Sequence, residues 1–316
     1  MTPKENKAVK SSEQEETAME FTGERFTPEN SREIWYEHYH RYALASQLVA
    51  GLDVLDAACG EGYGSELLAG SAATVTAVDI SAETIKHASM RYQHIENLKF
   101  IEADCSQLQL GDKKFDAIIS FETIEHLHQQ EAMLAGFKNL LKPNGWLLIS
   151  SPDKAEYSDA GNYSNPWHLR ELYRQEFIDL LAQEFKAINL FGQKLAFHSI
   201  IWNLNQAGSY KSQTLADQQL QTADKLQLAP LYFIAACATS SQNLPALPAL
   251  NLFADQQASV YQHYNHEVRK NMKAGELLLQ REEKITELEL RLKNLESSTP
   301  AAAPARGWLA RLLKKD

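Results

Sequence analysis

The residues best suited to chemistry lie in the run VLDAACGEGYG, positions 54–64, and in Asp79 beyond it. A short apolar run ends at Asp56, and a Gly-x-Gly-x-Gly loop then opens a helical pattern. Glycine suits tight turns and backbone that a ligand approaches without a Cβ clash. Asp79 ends the next apolar run, 19 residues beyond Gly60. A carboxylate there accepts from both hydroxyls of a ribose. The loop lacks the Gly-Lys-Ser/Thr of a phosphate-binding P-loop. Ser65 stands where a dinucleotide fingerprint has its third glycine. Asp56 would repel a pyrophosphate, whereas a cationic cofactor that bears an amino acid is favoured. That charge argument selects S-adenosyl-L-methionine (SAM) over a nicotinamide dinucleotide.

These residues need a scaffold that sets them along one rim. The pattern predicts strands at 54–57, 74–78, 98–102, 115–120 and 146–150, with helices between them. Ser81 is an N-cap for the helix carrying Ile85, Ala88 and Tyr92. Met133, Leu134, Phe137, Leu140 and Leu141 lie at helical spacing, and Pro143-Asn144-Gly145 reads as a turn. Alternating strands and helices argue for a parallel sheet covered on both faces, in the α/β class. Runs at 187–191 and 231–236 would close it as an antiparallel pair, with a Gln- and Ser-rich insertion between them. The aromatic-rich run 34–49 reads as one or two helices.

The chain has 316 residues, 44% hydrophobic and 23% charged. That is ordinary globular composition with material for a sizeable core. Its net charge of −10 disfavours nucleic acid as a partner, since phosphate binding needs a concentrated basic face. Cys59, Cys105 and Cys237 show no CxxC spacing, which argues against zinc or disulfide frameworks and for a reducing compartment. Residues 1–20, with three lysines and five glutamates, read as a disordered tail without a secretory apolar region. No apolar run approaches the ~20 residues of a membrane span.

The match of DAACGEGYG, AVDIS and EADC to successive strand ends resembles class I SAM-dependent methyltransferases over about residues 20–240. The resemblance implies a Rossmann-like seven-stranded sheet with helices on both faces and SAM as cofactor. It implies that Gly60, Glu61 and Gly62 line the methionine end, and Asp56 is counted with them among the cofactor-binding residues. Asp79 and Ile80 would hold the ribose, Asp104 and Cys105 the adenine, and Phe121 would pass close to the methionine portion. Arg41 would pair with the methionine carboxylate, or else form a surface ion pair. GERF at 23–26, HRY at 40–42, FETIEHL at 121–127 and NPWHLRELY at 165–173 are similar to methyltransferases encoded with bacterial O-antigen and other surface-polysaccharide genes. That similarity implies an O-methyltransferase for a sugar of such a polysaccharide or its lipid-linked precursor, capping or decorating the chain. A small-metabolite O-methyltransferase, for example for a quinone precursor, is the alternative within enzymes. A SAM-binding scaffold that recruits polymerase or export proteins is the alternative outside them.

Transfer from a sulfonium to an oxygen relies on alignment and gains from a general base. His126 and His168 compete for that role, each placed after a strand at the rim where open α/β sheets bind ligands. Tyr36, Tyr39, Tyr163 and Trp167 would form an apolar wall against a sugar ring, or belong to the core. Glu122, Glu125, His126 and His128 offer metal ligands, but a His-rich loop is more often plain surface and no distant acidic cluster completes the set. The reading therefore carries no metal.

Residues 241–254, with prolines at 245 and 248, read as a linker. A charged helix follows at 255–296. Its heptads place Leu278, Ile285 and Leu292 at a, with Leu288 and Leu295 at d, while Arg281 breaks one d position. This is either a coiled coil that makes a homo-oligomer or a solvated helix. After a Pro/Ala linker at 297–305, the last eleven residues, RGWLARLLKKD, carry four basic and one acidic side chain. Trp308, Leu309, Leu312 and Leu313 share a face, so the segment suits an anionic membrane surface or is a frayed terminus. The expected location is the cytoplasm, or its face of the inner membrane.

Overall fold

Short β-branched and apolar runs form the strands of the main sheet, and its central strands face a helix layer on both sides. The computed structural model describes residues 33–198, 200–201, 209–216 and 219–298. Two units are separable, Met1–Ala254 and Asp255–Asp316. In the first, β1 (Asp53–Ala57), β2 (Thr74–Asp79), β3 (Leu98–Glu102), β4 (Phe115–Ser120) and β5 (Leu141–Pro152) run parallel. Beyond β5 lie β6 (Ala187–Gln193) and, between the two, β9 (Tyr232–Ala238), antiparallel to both. The order is β3-β2-β1-β4-β5-β9-β6. This is an open Rossmann-like α/β sheet, and it places the last strand in sequence one position inside the edge.

Alternate residues of the strands feed two cores. Val54, Val75, Ala77, Ile119 and Leu148 meet α1 (Glu33–Ser46), α2 (Tyr63–Ala69) and α3 (Ala82–Arg91) through Tyr42, Ala45, Leu68 and Ala88. Leu55, Val78, Ile118, Leu147 and Ile149 meet α4 (Gln130–Leu140) and α5 (Arg174–Ala182) through Met133, Phe137, Phe177 and Leu181. Burial on both faces is what a parallel sheet requires. Ser81 caps α3, accepting from the Thr84 amide.

Three local expectations change. The strand predicted at 146–150 extends from Leu141, and the Pro143-Asn144-Gly145 turn becomes a bulge where the register jumps from Phe115–Leu141 to Ala117–Trp146. The polar insertion holds a hairpin, β7 (Ser212–Ala216) and β8 (Gln219–Ala223), paired with each other alone. Its Gln and Thr side chains gave no apolar alternation to read. The segment 241–254 is docked rather than a free linker. Leu244 and Leu247 pack on the first core. Asn251 Oδ1 lies 2.7 Å from His40 Nε2, and the Phe253 ring sits 5.5 Å from Tyr39 and 5.6 Å from Trp35. Proline keeps this stretch extended, which lets its apolar side chains lie along α1.

The second unit contains one continuous helix, α6 (Ser259–Ser298), 40 residues and so about 60 Å long. It starts four residues later than predicted because Asp255 accepts from the Ser259 amide at 2.9 Å. Leu278, Ile285, Leu288, Leu292 and Leu295 are exposed along it. Among the described residues no helix is long and apolar enough to cross a membrane. The tail at 1–20, the GERF motif, most of the 297–305 linker and the basic segment 306–316 lie outside the described residues.

Candidate active site

The glycine loop leaves β1 through backbone that few side chains tolerate. Ala58, Gly60 and Gly62 have φ of +61°, +54° and +97°, and a non-glycine residue in that region marks strain held by its surroundings. The Cys59 amide donates to Val78 O at 2.8 Å. Asp79 fastens the loop from the neighbouring strand: Oδ2 accepts from the Gly60 amide at 3.0 Å and Oδ1 from the Ser81 amide at 2.9 Å. Each oxygen keeps a second lone pair for a ligand hydroxyl. Ile80, beside it, is 69% exposed and presents apolar surface at the rim. At the end of β3, Asp104 Oδ1 accepts from the amide and hydroxyl of Ser106, both at 2.8 Å. Cys105 is buried, which pushes its thiol up to about 12.

Two of the expected cofactor-binding residues turn their side chains elsewhere. Asp56 is fully buried, with Oδ1 accepting from Tyr42 at 3.0 Å and Oδ2 from Ser65 at 2.6 Å. Burial raises its carboxyl to about 6. It ties β1 to α1 and α2, so its work is beneath the loop. Glu61 pairs with Arg91 at 2.8 Å and accepts from the Tyr92 hydroxyl at 3.2 Å. Its carboxylate thus faces α3, and what it offers the loop is backbone. Neither Tyr42 nor Ser65 was singled out by sequence as a partner of Asp56. Gly64 likewise serves packing, since a Cβ there would lie 2.3–2.5 Å from the Tyr42 ring.

Arg41 lies on α1 with its guanidinium wholly buried. Nη1 donates to Gln193 Oε1 at 2.8 Å and lies 3.9 Å from Glu122 Oε1; the group also sits 4.9 Å over the Tyr232 ring. Nε and Nη2 have no acceptor. Arg41 is therefore not a surface ion pair. Two buried cationic donors without acceptors are costly unless a ligand supplies an anion. Glu122, at the end of β4, has φ of +49° and is held by Ser150, which donates to its Oε1 at 2.7 Å. Burial raises the carboxyl of Glu37, one turn before Arg41, to about 6. Phe121 is buried edge-on against Tyr42, ring centroids 5.1 Å apart.

The two histidines come together. Their rings are 5.0 Å apart and nearly perpendicular. His126 closes a 3₁₀ turn at Ile124–His126, with Nδ1 3.1 Å from Trp167 O. His168 has Nδ1 2.5 Å from Glu171 Oε1, and Tyr157 stacks on it at 5.2 Å. Tyr157 sits in a single π-helical turn, Ala155–Asp159, a form that recurs at functional sites. Glu171 was not singled out by sequence, though its place three residues after His168 could have flagged the pair; Tyr157 carried no such signal. Tyr163 and Trp167 are exposed near these imidazoles, with Tyr163 5.9 Å from Tyr157. Tyr36 and Tyr39 are elsewhere: they pack with Trp35 and Phe253 on α1, Tyr36 being buried. His128 is exposed.

The residues present fit SAM. Asp79 offers lone pairs at the end of β2, and Arg41 offers two unmatched donors beside the end of β4. β1 and its glycine loop lie between them, a span of about 10 Å at two strand spacings. A ribose at one end and an α-carboxylate at the other match that pattern of charge.

Residues 55–149 match the family described as methyltransferase domain. A probable S-adenosylmethionine-dependent methyltransferase of Mycolicibacterium smegmatis is 33% identical over 52% of this chain and 64% of its own length. A ubiquinone biosynthesis O-methyltransferase of Glaesserella parasuis is 34% identical over 32% of this chain and 45% of its own. The chain thus spans less than two thirds of these curated relatives. The YcgJ protein of Bacillus subtilis superposes with a TM-score of 0.47 at 16% identity, covering 65% of this chain and all of that one.

Proposed function

We propose that this chain is a SAM-dependent O-methyltransferase whose acceptor is a sugar hydroxyl of a bacterial surface polysaccharide, O-antigen type, or of its lipid-linked precursor. The observation that carries methyl transfer is the buried Arg41 with two donors lacking acceptors, set across β1 from Asp79. When bound, SAM supplies a methyl group on a sulfonium. Arg41 binds the α-carboxylate, Asp79 and Ile80 hold the ribose, and Asp104 and Cys105 border the adenine. His168, with Nδ1–H donating to Glu171, keeps its Nε2 lone pair available to take the acceptor proton. His126 stands beside it as the second candidate.

The sugar assignment rests on the sequence motifs at 121–127 and 165–173 and on the exposed rings of Tyr163 and Trp167. Aromatic faces cover apolar ring surface while leaving hydroxyls at their edges. A phenolic small metabolite is the second reading, favoured by the similarity to the ubiquinone biosynthesis O-methyltransferase. In this proposal α6 joins copies of the chain through its leucine stripe, and the basic tail holds the assembly at a membrane surface near polymerase or export proteins.

The test is calorimetric titration of the full chain with SAM and S-adenosylhomocysteine, alongside Asp79→Ala. Two charge-assisted hydrogen bonds at about 1.5 kcal/mol each predict a loss of about 150-fold in the variant. No binding to folded wild-type protein overturns the enzyme reading and leaves the scaffold. A methyl-acceptor screen with saccharides against phenols then decides the substrate.

A further inference from the structure

We infer that Glu125, His126 and His168 form a binding site for one divalent transition-metal ion. One ligand atom from each of the three lies within 4.8 Å of the others. A tetrahedral ion with bonds of about 2.1 Å sets its donors about 3.4 Å apart, so small side-chain rotations close the set. Glu125 is 1% exposed, and neither carboxylate oxygen has a hydrogen-bond donor. Its Oε1 lies 4.0 Å from His126 Nε2. A buried carboxylate without a donor is costly in either protonation state, and a cation between it and two imidazoles removes that cost.

The imidazoles are prepared as ligands. A backbone carbonyl only accepts, so His126 Nδ1 carries the proton toward Trp167 O, and the neutral ring has its lone pair on Nε2. His168 Nδ1–H donates to Glu171, the carboxylate–histidine arrangement that orients metal-binding imidazoles. The two segments are also fastened together. Glu125 O accepts from the amides of Leu169 at 2.8 Å and Arg170 at 3.1 Å. Gln130 Nε2 bridges Ile124 O at 2.7 Å and Arg170 O at 2.8 Å. Two imidazoles and one carboxylate suit zinc, manganese, iron or cobalt rather than calcium. Three protein ligands leave open positions, the mark of a site that admits substrate.

The ligand set differs from the one the sequence suggested. His128 is exposed and Glu122 is engaged by Ser150, while His168, 42 residues after His126, completes the group. His168 follows β5 in the chain, so no local spacing in the sequence sets it beside His126. Resting on the proposed activity, the bound ion takes the Nε2 lone pairs of both histidines and so replaces His168 as the group acting on the acceptor: it holds the hydroxyl and eases loss of its proton to solvent.

The test uses the full chain, stripped with chelator and titrated with Co²⁺ and with Zn²⁺. The expected result is one equivalent bound, with visible Co²⁺ absorption bands. Glu125→Gln and His168→Ala are expected to weaken binding at least 100-fold, and Glu171→Gln 10- to 100-fold. S-adenosylhomocysteine titration and thermal melts of the same samples report on the fold. Wild-type protein that binds S-adenosylhomocysteine but no metal overturns the site and leaves the methyltransferase reading standing. Metal binding without S-adenosylhomocysteine binding does the reverse. Metal affinity unchanged in Glu125→Gln and in His168→Ala places the ion on other histidines and also overturns it.

Discussion

Replacing Arg41 by methionine tests whether its two unmatched donors read the carboxylate of the cofactor. The guanidinium is already out of water in the protein, so its desolvation is a cost of folding and not of binding. Ligand binding therefore retains most of what the new bonds contribute. Nε and Nη2 provide two charge-assisted hydrogen bonds, each about 1.5–3 kcal/mol. At the low end the sum is about 3 kcal/mol, or about 150-fold in Kd. The assay is calorimetry with S-adenosylhomocysteine, which carries the carboxylate, and with 5′-methylthioadenosine, which has no amino-acid portion. Arg41→Met should lose about 150-fold for the first and less than about 3-fold for the second. The comparison matters because the substitution also orphans Gln193 Oε1 and removes the charge facing Glu122. A general loosening of the site would weaken both ligands alike. Equal losses, or no loss for S-adenosylhomocysteine, refute the reasoning. Arg41→Lys, which keeps the charge but not the fork of donors, should fall between.

Gly64→Ala places a Cβ within 2.5 Å of the Tyr42 ring; overpacking of about 1–3 kcal/mol should lower the melting temperature by several degrees. The same melt for Gly136→Ala, where nothing lies within 4 Å, should be unchanged or raised. Asp56 should make stability fall as pH rises from about 4 to about 6, because burial lifts its carboxyl from 3.8 to about 6 and the folded state then binds the proton more tightly than the unfolded one. The contribution is present at low pH and lost through that window, about 3 kcal/mol in all. Asp56→Asn should flatten the urea-unfolding profile by that amount relative to wild type, and an unchanged slope would count against a buried carboxylate there.

The sheet was legible because its strands are short apolar runs bounded by glycine, asparagine and serine, and because helices of the right spacing separate them. The glycine loop and Asp79 were legible for a related reason: backbone conformation and local charge act over a few residues. Glu61 and Asp56 were misplaced because a sequence motif says which residue stands at a strand end but not which way its side chain turns. Asp56 is captured by Tyr42, 14 residues earlier, and Glu61 by Arg91, 30 residues later. The docking of 241–254 was hidden by its prolines, which signal a linker whether or not the chain lies on a surface. The His126–His168 pair was visible as two candidates, and only the tertiary structure makes them neighbours.

Adjacent residues of α1 perform opposite tasks, and together they explain why a helix outside the 55–149 domain match belongs to the site. Tyr42 reaches below the glycine loop to Asp56, while Arg41 turns to the end of β4 with donors to spare. Their placement depends on α1 being held against the sheet at three points. Gln193, at the end of β6, receives a bond from Arg41 and donates to Glu37 O at 2.8 Å. The Tyr42 ring occupies the space that Gly64 leaves open. Phe253 and Asn251 grip the opposite part of the helix through Trp35, Tyr39 and His40. The site therefore couples the first helix to the last segment of the domain. A domain cut at residue 240 would keep every strand of the sheet and lose part of what positions Arg41.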